Sequence, residues 1–519
     1  MVRSGPRPCL SATRPSAGPS RPLAAVALLA TLLLGYPARA LEKIRIRLPL
    51  LQTDFTVKVS ELSSPQLLLR GHSDLAELDR ATDGRIGKHL TELLKSPVPI
   101  QIHNLVDKSQ DNPLASQVQL FASSLVHVEG APSADANRLM AAAMARLPAG
   151  SPFTVLSLLQ AMPGETATID MEQALQAVQR LQRQQRRGIA LVNSLPAVSS
   201  DPGLAAPGPL PTLTSSAVLA VAHRSVPLQM DVVSPSQGGN GRLVVISHGL
   251  WDGPESFLGW ADLLASHGYA VILPHHPGSD NRQQEAMLAG QVPPPSAEEL
   301  RKRPLDIKAV IDAVAAGTIP GLSGVRSDQV VVIGHSWGAT TALQLAGAQP
   351  SATRLQKRCG NLDDPDRNLS WVLQCSFLSS ADKASLADPR VIAVAAVSPP
   401  LNLLFDIGAP RGMQGRGLMV SGSSDWVVPS GPEAIDRFAG PRSQGHQLVL
   451  VQGGDHFNLR APRSQTPPVL GPLLLRWTDA AFAAGALACR PAQGAAPLLK
   501  AQGWGSTERP LVEASAATP

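Results

Sequence analysis

The sequence of 519 residues predicts an α/β protein, in which a mostly parallel sheet with helices on both faces follows a small, mainly helical domain. From residue 217 onward, short apolar segments alternate with helical segments, which is typical of a parallel sheet covered on both faces. Between residues 74 and 187, apolar residues recur at spacings of three and four, which indicates amphipathic helices. Residues 188–216 are rich in Pro, Ser, Gly and Ala and predict a linker between the two regions.

The first 40 residues have the pattern of a secretory signal peptide. Four arginines precede the short apolar run Leu23–Leu34, namely Arg3, Arg7, Arg14 and Arg21. Ala38-Arg39-Ala40 then matches a cleavage site. We expect cleavage after Ala40 and a periplasmic or secreted protein without an integral membrane segment. The alternative is an uncleaved N-terminal anchor, although the apolar run is short for a membrane span.

Cleavage would leave a neutral chain. The sequence has 45 Lys and Arg against 40 Asp and Glu, and residues 1–40 hold five arginines and no lysine or acid. The mature chain would therefore have 40 residues of each sign. This balance gives no support to binding of nucleic acid or of an anionic membrane surface.

The domain expected at residues 41–187 has few strand signals. Alternation in residues 41–59 predicts a strand, and the rest predicts helices. The clearest helical segments are Asp135–Arg146, Pro152–Met162 and Asp170–Arg187. Ser151-Pro152 and Thr168 are suitable helix starts. This region contains no catalytic constellation of its own.

The region 217–488 is predicted to form the sheet. A leading hairpin is expected from Val218–Arg224 and Pro227–Val233. The strands expected after it are Leu243–Ser247, Ala270–Leu273, Gln329–Ile333, Val391–Val397, Gly417–Ser421 and Gln447–Val451. The helices expected between and after them are Glu255–His267, Leu305–Val314, Ala339–Ala348, Pro432–Phe438 and Val469–Ala486. The remaining tail, 489–519, has the composition of a disordered segment.

Residues 350–390 form an insertion between a helix and the next strand. Its position near the carboxyl ends of the strands predicts either a lid or pocket wall, or a surface excursion. Cys359 and Cys375 flank a loop in it and are the expected disulfide pair in an oxidising compartment, which leaves Cys489 unpaired.

A serine follows the strand that ends at Ile333. The segment Gly334-His335-Ser336-Trp337-Gly338 has the Gly-x-Ser-x-Gly pattern, in which a sharp strand-to-helix turn exposes a nucleophilic serine. Glycines fit beside such a serine because the strained turn leaves no room for Cβ atoms. The alternative, an ordinary tight turn, is disfavoured by the strand before Ser336 and the helix after it.

A serine hydroxyl needs a base and an orienting acid to become a good nucleophile. Asp425 and His456 both follow predicted strands, in the order Ser, Asp, His that this strand-turn-helix motif accompanies. We therefore assign Ser336 as nucleophile, His456 as general base and then acid, and Asp425 as the residue that orients it. The rival acid is Asp406. The rival histidines are weaker, because His446 precedes its strand and His335 lies inside the turn.

Two backbone N–H groups should stabilise the oxyanion. One is that of Trp337, the residue after the nucleophile, and the other comes from the loop that follows the first parallel strand. In Ser247-His248-Gly249-Leu250-Trp251 the better candidate is Leu250 and the alternate is Trp251. We expect His248 to be structural, and His275 and His276 to be either pocket-lining or internally bonded. No Cys/His cluster has metal-ligand spacing and no phosphate loop is present, so no metal or cofactor is expected.

From about residue 217 to 488 the chain resembles the α/β-hydrolase superfamily. The resemblance rests on Ser247-His248-Gly249-Leu250, the serine motif, Asp425 and His456. It is most similar to dienelactone hydrolase-like and platelet-activating-factor acetylhydrolase-like esterases. True dienelactone hydrolases carry a cysteine at the position of Ser336, so a serine esterase is the better expectation. Residues 41–187 resemble a helical domain of unknown function that precedes hydrolase domains in cyanobacterial proteins.

These observations predict an exported serine hydrolase of the lipase and esterase type, acting on a small-molecule or lipid ester. The alternatives are an acyltransferase on the same fold and a non-catalytic binding protein. The substrate, the oligomeric state and the role of residues 41–187 do not follow from the sequence.

Overall fold

The computed structural model describes residues 40–517, except 49–51, 98–101, 132–135, 148–152, 384–385, 407, 409–411, 441–442 and 492–494. The signal peptide expected at 1–40 lies outside the described residues but for its last position, and so does the helix start expected at 151–152. Two sheets are described, one of four strands and one of nine. No described helix combines the length and apolar character needed to cross a membrane.

The N-terminal region contains a mixed sheet as well as helices. Its strands are β1 (Lys43–Leu48), β2 (Thr53–Lys58), β3 (Val126–Glu129) and β4 (Thr166–Asp170), in the order β2-β1-β4-β3. β1 runs parallel to β4, and the outer strands pair antiparallel. The helices are α1 (Pro65–Leu69), α2 (Asp74–Ala81), α3 (Arg85–Lys95), α4 (Ile102–Ser109), α5 (Pro113–Leu125), α6 (Ala136–Met144) and α7 (Val155–Ala161). Strands β3 and β4 lie outside residues 41–59, where alternation predicts a strand, so the region is less helical than its pattern predicts.

Helix α8 (Met171–Ser194) overturns two local predictions. Thr168 does not start this helix, because it lies in β4. The helix begins after Asp170, whose Oδ1 accepts hydrogen bonds from the N–H groups of Glu172 (3.0 Å) and Gln173 (3.2 Å). The helix also continues through the first part of the linker expected at 188–216. Short helix α9 (Pro202–Ala205) and the strand that begins at Thr212 occupy more of that segment.

The nine-stranded sheet has a parallel centre and antiparallel edges. Its order is β13-β12-β11-β10-β9-β7-β8-β6-β5, and the strands from β8 to β12 in that order run parallel. The strands are β5 (Thr212–Leu219), β6 (Leu228–Pro235), β7 (Arg242–Ser247), β8 (Ala270–Pro274), β9 (Arg326–His335), β10 (Val391–Val397), β11 (Arg416–Gly422), β12 (Gln447–Val451) and β13 (Leu511–Glu513). The expected parallel strands agree closely with these bounds.

Helices cover both faces of this sheet, which explains why its central strands are apolar throughout. In β7, Leu243 and Val245 pack into one core cluster while Val244 and Ile246 pack into the other. The helices are α10 (Leu258–Ser266), α11 (Asn281–Leu288), α12 (Glu299–Ala315), α13 (Trp337–Leu345), α14 (Ala352–Arg358), α15 (Ser370–Cys375), α16 (Asp436–Phe438) and α17 (Gly471–Ala488). A π-helical turn, Gly431–Ile435, precedes α16.

The edges of the sheet differ from the prediction. The hairpin is present, but its first strand is β5 rather than Val218–Arg224, and it pairs with β6. The tail is not disordered over the part the structure describes, since β13 pairs antiparallel with β12. Trp504 is buried against the same core cluster as Val449. The tail therefore covers the edge strand of the sheet.

The insertion at 350–390 packs onto α13, the helix that follows Ser336. It contains α14 and α15, and the expected disulfide joins Cys359 to Cys375 with Cα atoms 5.7 Å apart. The Phe377 ring lies 4.5 Å from the Trp337 ring, measured between centroids. Cys489 is free and buried. Phe377 and Trp337 belong to the same core cluster, so the insertion packs against the core of the sheet region.

We expect the double substitution Cys359→Ala and Cys375→Ala to lower the free energy of unfolding by about 3 kcal/mol, because the open chain gains loop entropy when it unfolds. Urea unfolding under non-reducing conditions measures this change. Cys489→Ala is the control for loss of a buried sulfur without loss of a cross-link. Equal stability of the double variant and this control would contradict the prediction.

Candidate active site

Ser336 occupies a strained turn between β9 and α13. Its backbone has φ 53° and ψ −120°, a region that L-residues rarely adopt and that costs on the order of 1–3 kcal/mol. The Ser336 N–H donates to the Val397 carbonyl (2.9 Å), which ties the turn to the end of β10. This geometry is typical of a nucleophile elbow.

The two glycines of the motif are required by close backbone contacts. A Cβ atom on Gly334 would lie 2.1 Å from the Gly338 carbonyl oxygen, and one on Gly338 would lie 2.0 Å from the Ser247 carbonyl oxygen. A third glycine, Gly249, brings the loop after β7 close to the nucleophile, because its added Cβ would lie 3.2 Å from the Ser336 Cβ. Side chains at these positions would push the turn away from its neighbours.

Asp425 and His456 meet at the carboxyl ends of β11 and β12. The His456 Nδ1 lies 3.1 Å from the Asp425 Oδ2. The other carboxylate oxygen, Oδ1, accepts hydrogen bonds from the N–H groups of Val427 (3.0 Å) and Val428 (2.7 Å). The carboxylate is fully buried and thereby fixed toward the imidazole. Such a pair holds a histidine in one orientation and one tautomer.

The elbow and the histidine loop are linked through His335. Its Nε2 donates to the His456 carbonyl (2.9 Å), and the two rings lie 4.8 Å apart. Ser336 and His456 are only 3% and 5% exposed. Among the described contacts, no hydrogen bond joins the Ser336 hydroxyl to the His456 ring. Catalytic hydrogen bonds are often long in proteins without bound substrate.

The rival residues have other partners. Asp406 is exposed and acts electrostatically on Arg354 and Arg437. Asp455, the acidic residue directly before His456, accepts the N–H groups of Phe457 and Asn458 (both 2.8 Å), so it closes its own turn. His446 accepts the Gly417 N–H (2.8 Å) near the start of β11, at the opposite edge of the sheet.

The three backbone N–H groups considered as oxyanion donors differ in whether they already have an acceptor. Trp337 is the first residue of α13, where a backbone N–H has no acceptor within the helix. The Leu250 N–H also has no backbone acceptor in the described part of the chain. The Trp251 N–H donates to the Ser279 carbonyl (2.8 Å), so the alternate candidate is wrong.

A buried charge network supports the loop that carries Leu250. The Arg224 guanidinium binds Asp306 (Nη2 to Oδ2, 2.6 Å) and Glu299 (Nη1 to Oε1, 2.6 Å), and all three side chains are at most 3% exposed. His276 binds Asp306 through the ring Nδ1 (2.8 Å). The backbone N–H of His276 donates to the Nε2 of His248 (3.1 Å). This network could not be predicted from local sequence patterns, because Arg224 and Asp306 lie far apart in the chain.

Two other contacts complete this support. Arg303 donates to the His248 carbonyl and, through Nη1, to the Ser279 hydroxyl (3.0 Å). The Nδ1 of His248 contacts the Gly249 carbonyl (2.7 Å). His248 is therefore a structural residue of the turn, as the sequence analysis expected, and His276 is internally bonded. His275 instead borders a cavity of about 590 Å³ that also contacts Gln283.

The buried histidines predict an acid-sensitive fold. Burial lowers the pKa of His276 to about 3, and it also lowers the pKa values of His248 and His335. The unfolded chain binds a proton near pH 6.5 while the folded His276 stays neutral, so the free energy of unfolding falls with decreasing pH. From pH 7 to pH 5, His276 alone should contribute a loss of about 2 kcal/mol. Urea unfolding at pH 7, 6 and 5 measures this slope. A stability that does not change over this range would contradict the prediction.

The described residues contain no group of three or more His, Cys, Asp or Glu side chains arranged to hold a metal ion. The groups that the described part of the site brings together are a serine hydroxyl, an imidazole and a carboxylate, with the backbone N–H groups of Trp337 and Leu250, which follow Ser336 and Gly249 in the chain. These are the components of nucleophilic acyl transfer.

The sequence matches the model of the alpha/beta hydrolase family over residues 243–514. The match covers β7 to β13 and contains Ser336, Asp425 and His456. No curated protein matches the chain at a significant level. The parallel sheet, the strand order and the match over more than half of the sequence agree, and the chain belongs to the alpha/beta hydrolase family.

Proposed function

We propose that this hydrolase is an exported serine esterase of the lipase and esterase type, with Ser336, His456 and Asp425 as its catalytic triad. The observation that carries the proposal is the Asp425–His456 pair at 3.1 Å, tied by His335 to the turn that presents Ser336. The resemblance to dienelactone hydrolase-like and platelet-activating-factor acetylhydrolase-like esterases supports the same class of reaction. The signal-peptide pattern of residues 1–40 and the Cys359–Cys375 disulfide support export to an oxidising compartment.

The proposed reaction has two steps. The Ser336 Oγ attacks the ester carbonyl carbon while His456 takes the hydroxyl proton, and the alcohol then leaves with that proton. A water molecule, deprotonated by His456, attacks the acyl-enzyme and releases the carboxylic acid and free Ser336. Asp425 stabilises the imidazolium in both steps. The N–H groups of Leu250 and Trp337 stabilise the negative oxygen, and loss of one such donor typically costs a hundred- to a thousandfold in rate.

Labelling with a fluorophosphonate tests the proposal directly. Purified mature protein should become modified by one phosphonyl group, and peptide mass spectrometry should place it on Ser336. A series of 4-nitrophenyl esters from acetate to decanoate then gives the preferred chain length. Absence of labelling on Ser336 would contradict the assignment and favour a non-catalytic binding protein. Formation of a new ester in the presence of added alcohols, in excess of hydrolysis, would instead indicate an acyltransferase.

A further inference from the structure

A cavity of about 440 Å³ lies between α8, the insertion and the loop of Asp425. Its volume is within the range of small-molecule sites. Much of its lining is apolar: Phe121, Val178, Leu181, Leu362, Leu369 and Trp426. Trp426 directly follows Asp425, and its ring lies 6.0 Å from that of Phe457, which follows His456. The cavity therefore lies beside the loops that carry the proposed acid and base.

Two guanidinium groups give this apolar cavity a positive side. Arg180 from α8 and Arg367 from the insertion both border it. Burial lowers the pKa of Arg367, the nearby carboxylate of Asp364 raises it, and the positive charge of Arg180 lowers it, which shows that Arg180 and Arg367 are near each other. Asp364 is already paired with Arg358 (2.6 Å). Asp363 at the border is exposed, so water screens its charge.

Polar atoms at this cavity lack partners. The Nε of Arg180 and the Nδ2 of Asn368 are buried and make no hydrogen bond. Arg367, by contrast, is held by the carbonyls of Cys359 and Asn361 (both 3.1 Å). Buried donors without acceptors are unfavourable in a folded protein, so a ligand that supplies acceptor oxygens would be stabilised here.

We propose that this cavity binds an anionic amphiphile, an apolar chain that carries a carboxylate, as the part of the substrate distant from the scissile ester. The apolar walls bind the chain, and Arg180, Arg367 and Asn368 bind the acidic group. As a statement about substrate, this inference rests on the proposed esterase function. It assigns a role to residues 41–187 as well, because α5 and α8 supply Phe121, Val178 and Arg180.

Equilibrium binding of decanoate to the mature Ser336→Ala protein tests the proposal without turnover. Decanoate should bind more tightly than decanol by about tenfold, because charge-assisted hydrogen bonds are stronger than neutral ones. Val178→Trp, which fills the cavity, and Arg180→Gln should each weaken decanoate binding by about tenfold or more. Ile189→Trp and Arg186→Gln, exposed positions of the same helix outside the cavity, are the matched controls.

Decanoate binding that is unchanged in Val178→Trp, or absent in the parent protein, would overturn the cavity assignment. Equal affinity for decanol and decanoate would overturn the proposal that the ligand carries an acidic group. These results are independent of the proposed function, which fails instead if a protein with Ser336→Ala keeps its esterase activity.

A second inference rests on a different contact, between α8 and the loop of the proposed acid. The Gln185 Nε2 donates to the Asp425 carbonyl (3.0 Å). The helix approaches this loop closely: a Cβ atom on Gly188 would lie 2.2 Å from the Ser430 Oγ, and one on Gly431 would lie 2.4 Å from the Gln184 carbonyl oxygen. An ion pair between Arg187 and Asp436 fixes the same interface. We infer that Gln185 is a positioning residue, which holds the Asp425 backbone so that its carboxylate meets His456.

The test compares two isosteric substitutions on adjacent residues. Gln185→Glu replaces the N–H donor at the Asp425 carbonyl by an oxygen, and Gln184→Glu does the same at the Asp366 carbonyl, which Gln184 binds at 2.7 Å. We expect Gln185→Glu to lower the rate of Ser336 phosphonylation and the kcat for 4-nitrophenyl butyrate by about tenfold, with unchanged KM. Gln184→Glu should keep both rates at equal Tm.

A normal phosphonylation rate in Gln185→Glu, or the same loss in both variants, would overturn the positioning role. If the parent protein, which carries neither substitution, is not phosphonylated at Ser336, the proposed function itself is contradicted. The two failures are therefore distinct.

Discussion

Replacement of Ser336 by alanine is expected to lower kcat/KM for a short 4-nitrophenyl ester by about 10⁴- to 10⁶-fold. The alanine removes the atom that we propose forms the acyl-enzyme, and the residual rate would come from the oxyanion donors and substrate binding alone. The fold should persist, because Ser336 uses its backbone to hold the turn, through the bond from its N–H to the Val397 carbonyl. Steady-state kinetics together with a thermal unfolding curve measure both effects.

Ser398 offers a matched control for this substitution. It follows β10, the neighbouring parallel strand, its φ is 49°, and its buried hydroxyl has no hydrogen-bond partner. Ser398→Ala should keep the rate within about threefold, because among the described contacts no hydrogen bond joins this serine to His456. Retained turnover in Ser336→Ala, or an equal loss in Ser398→Ala, would contradict the assignment of the nucleophile.

Replacement of Asp306 by asparagine is expected to lower the free energy of unfolding by about 3–5 kcal/mol. Asp306 is fully buried and binds Arg224 and His276, so its loss leaves a buried guanidinium without half of its countercharge. Despite burial, which acts in the opposite direction, hydrogen bonds from His223, His276 and Arg224 lower the pKa of Asp306. Its stabilising contribution is therefore present above about pH 4 and is lost only in stronger acid.

The same substitution should reduce catalysis, since the network below His248 and Gly249 sets the position of the Leu250 N–H. Asp312→Asn is the control, because Asp312 lies on the same helix but pairs with Arg390 at the surface. We expect that variant to lose less than about 1 kcal/mol. Urea unfolding at pH 7 measures the free energy of unfolding of both variants. Equal losses in the two variants would show that the buried network contributes no more than a surface pair.

Much of the fold was predictable because its signals are local. Six parallel strands were located from continuous apolar runs, and both faces of β7 pack into core clusters as those runs predict. The serine turn was predictable for the same reason, since the glycines at 334 and 338 lie within two residues of Ser336. Loops that follow adjacent parallel strands begin at the same edge of the sheet. For this reason Asp425 and His456 could be expected to lie near each other from the sequence alone.

The errors concern long-range partners. The tail was expected to be disordered because its composition is polar and small, but its short apolar segment Leu511–Glu513 finds an open sheet edge at β12. The linker was expected from Pro, Ser and Gly content, but α8 extends into it where Gly188 packs against Ser430. In both cases tertiary contacts stabilise structure that the local sequence does not favour.

The sequence by itself determined the continuous apolar strands of the sheet, the serine turn with its two glycines, and the residue types available as acid and base. The tertiary structure alone decided that the Trp251 N–H donates to Ser279, while the Leu250 N–H has no backbone acceptor among the described residues. It placed Arg224 and Asp306 where they support the loop between them. It also decided that α8 contacts the loop of Asp425. The physical reason is that periodicity and turn chemistry depend on neighbours in the chain. The availability of a donor, or the partner of a buried charge, depends on groups that only folding brings together.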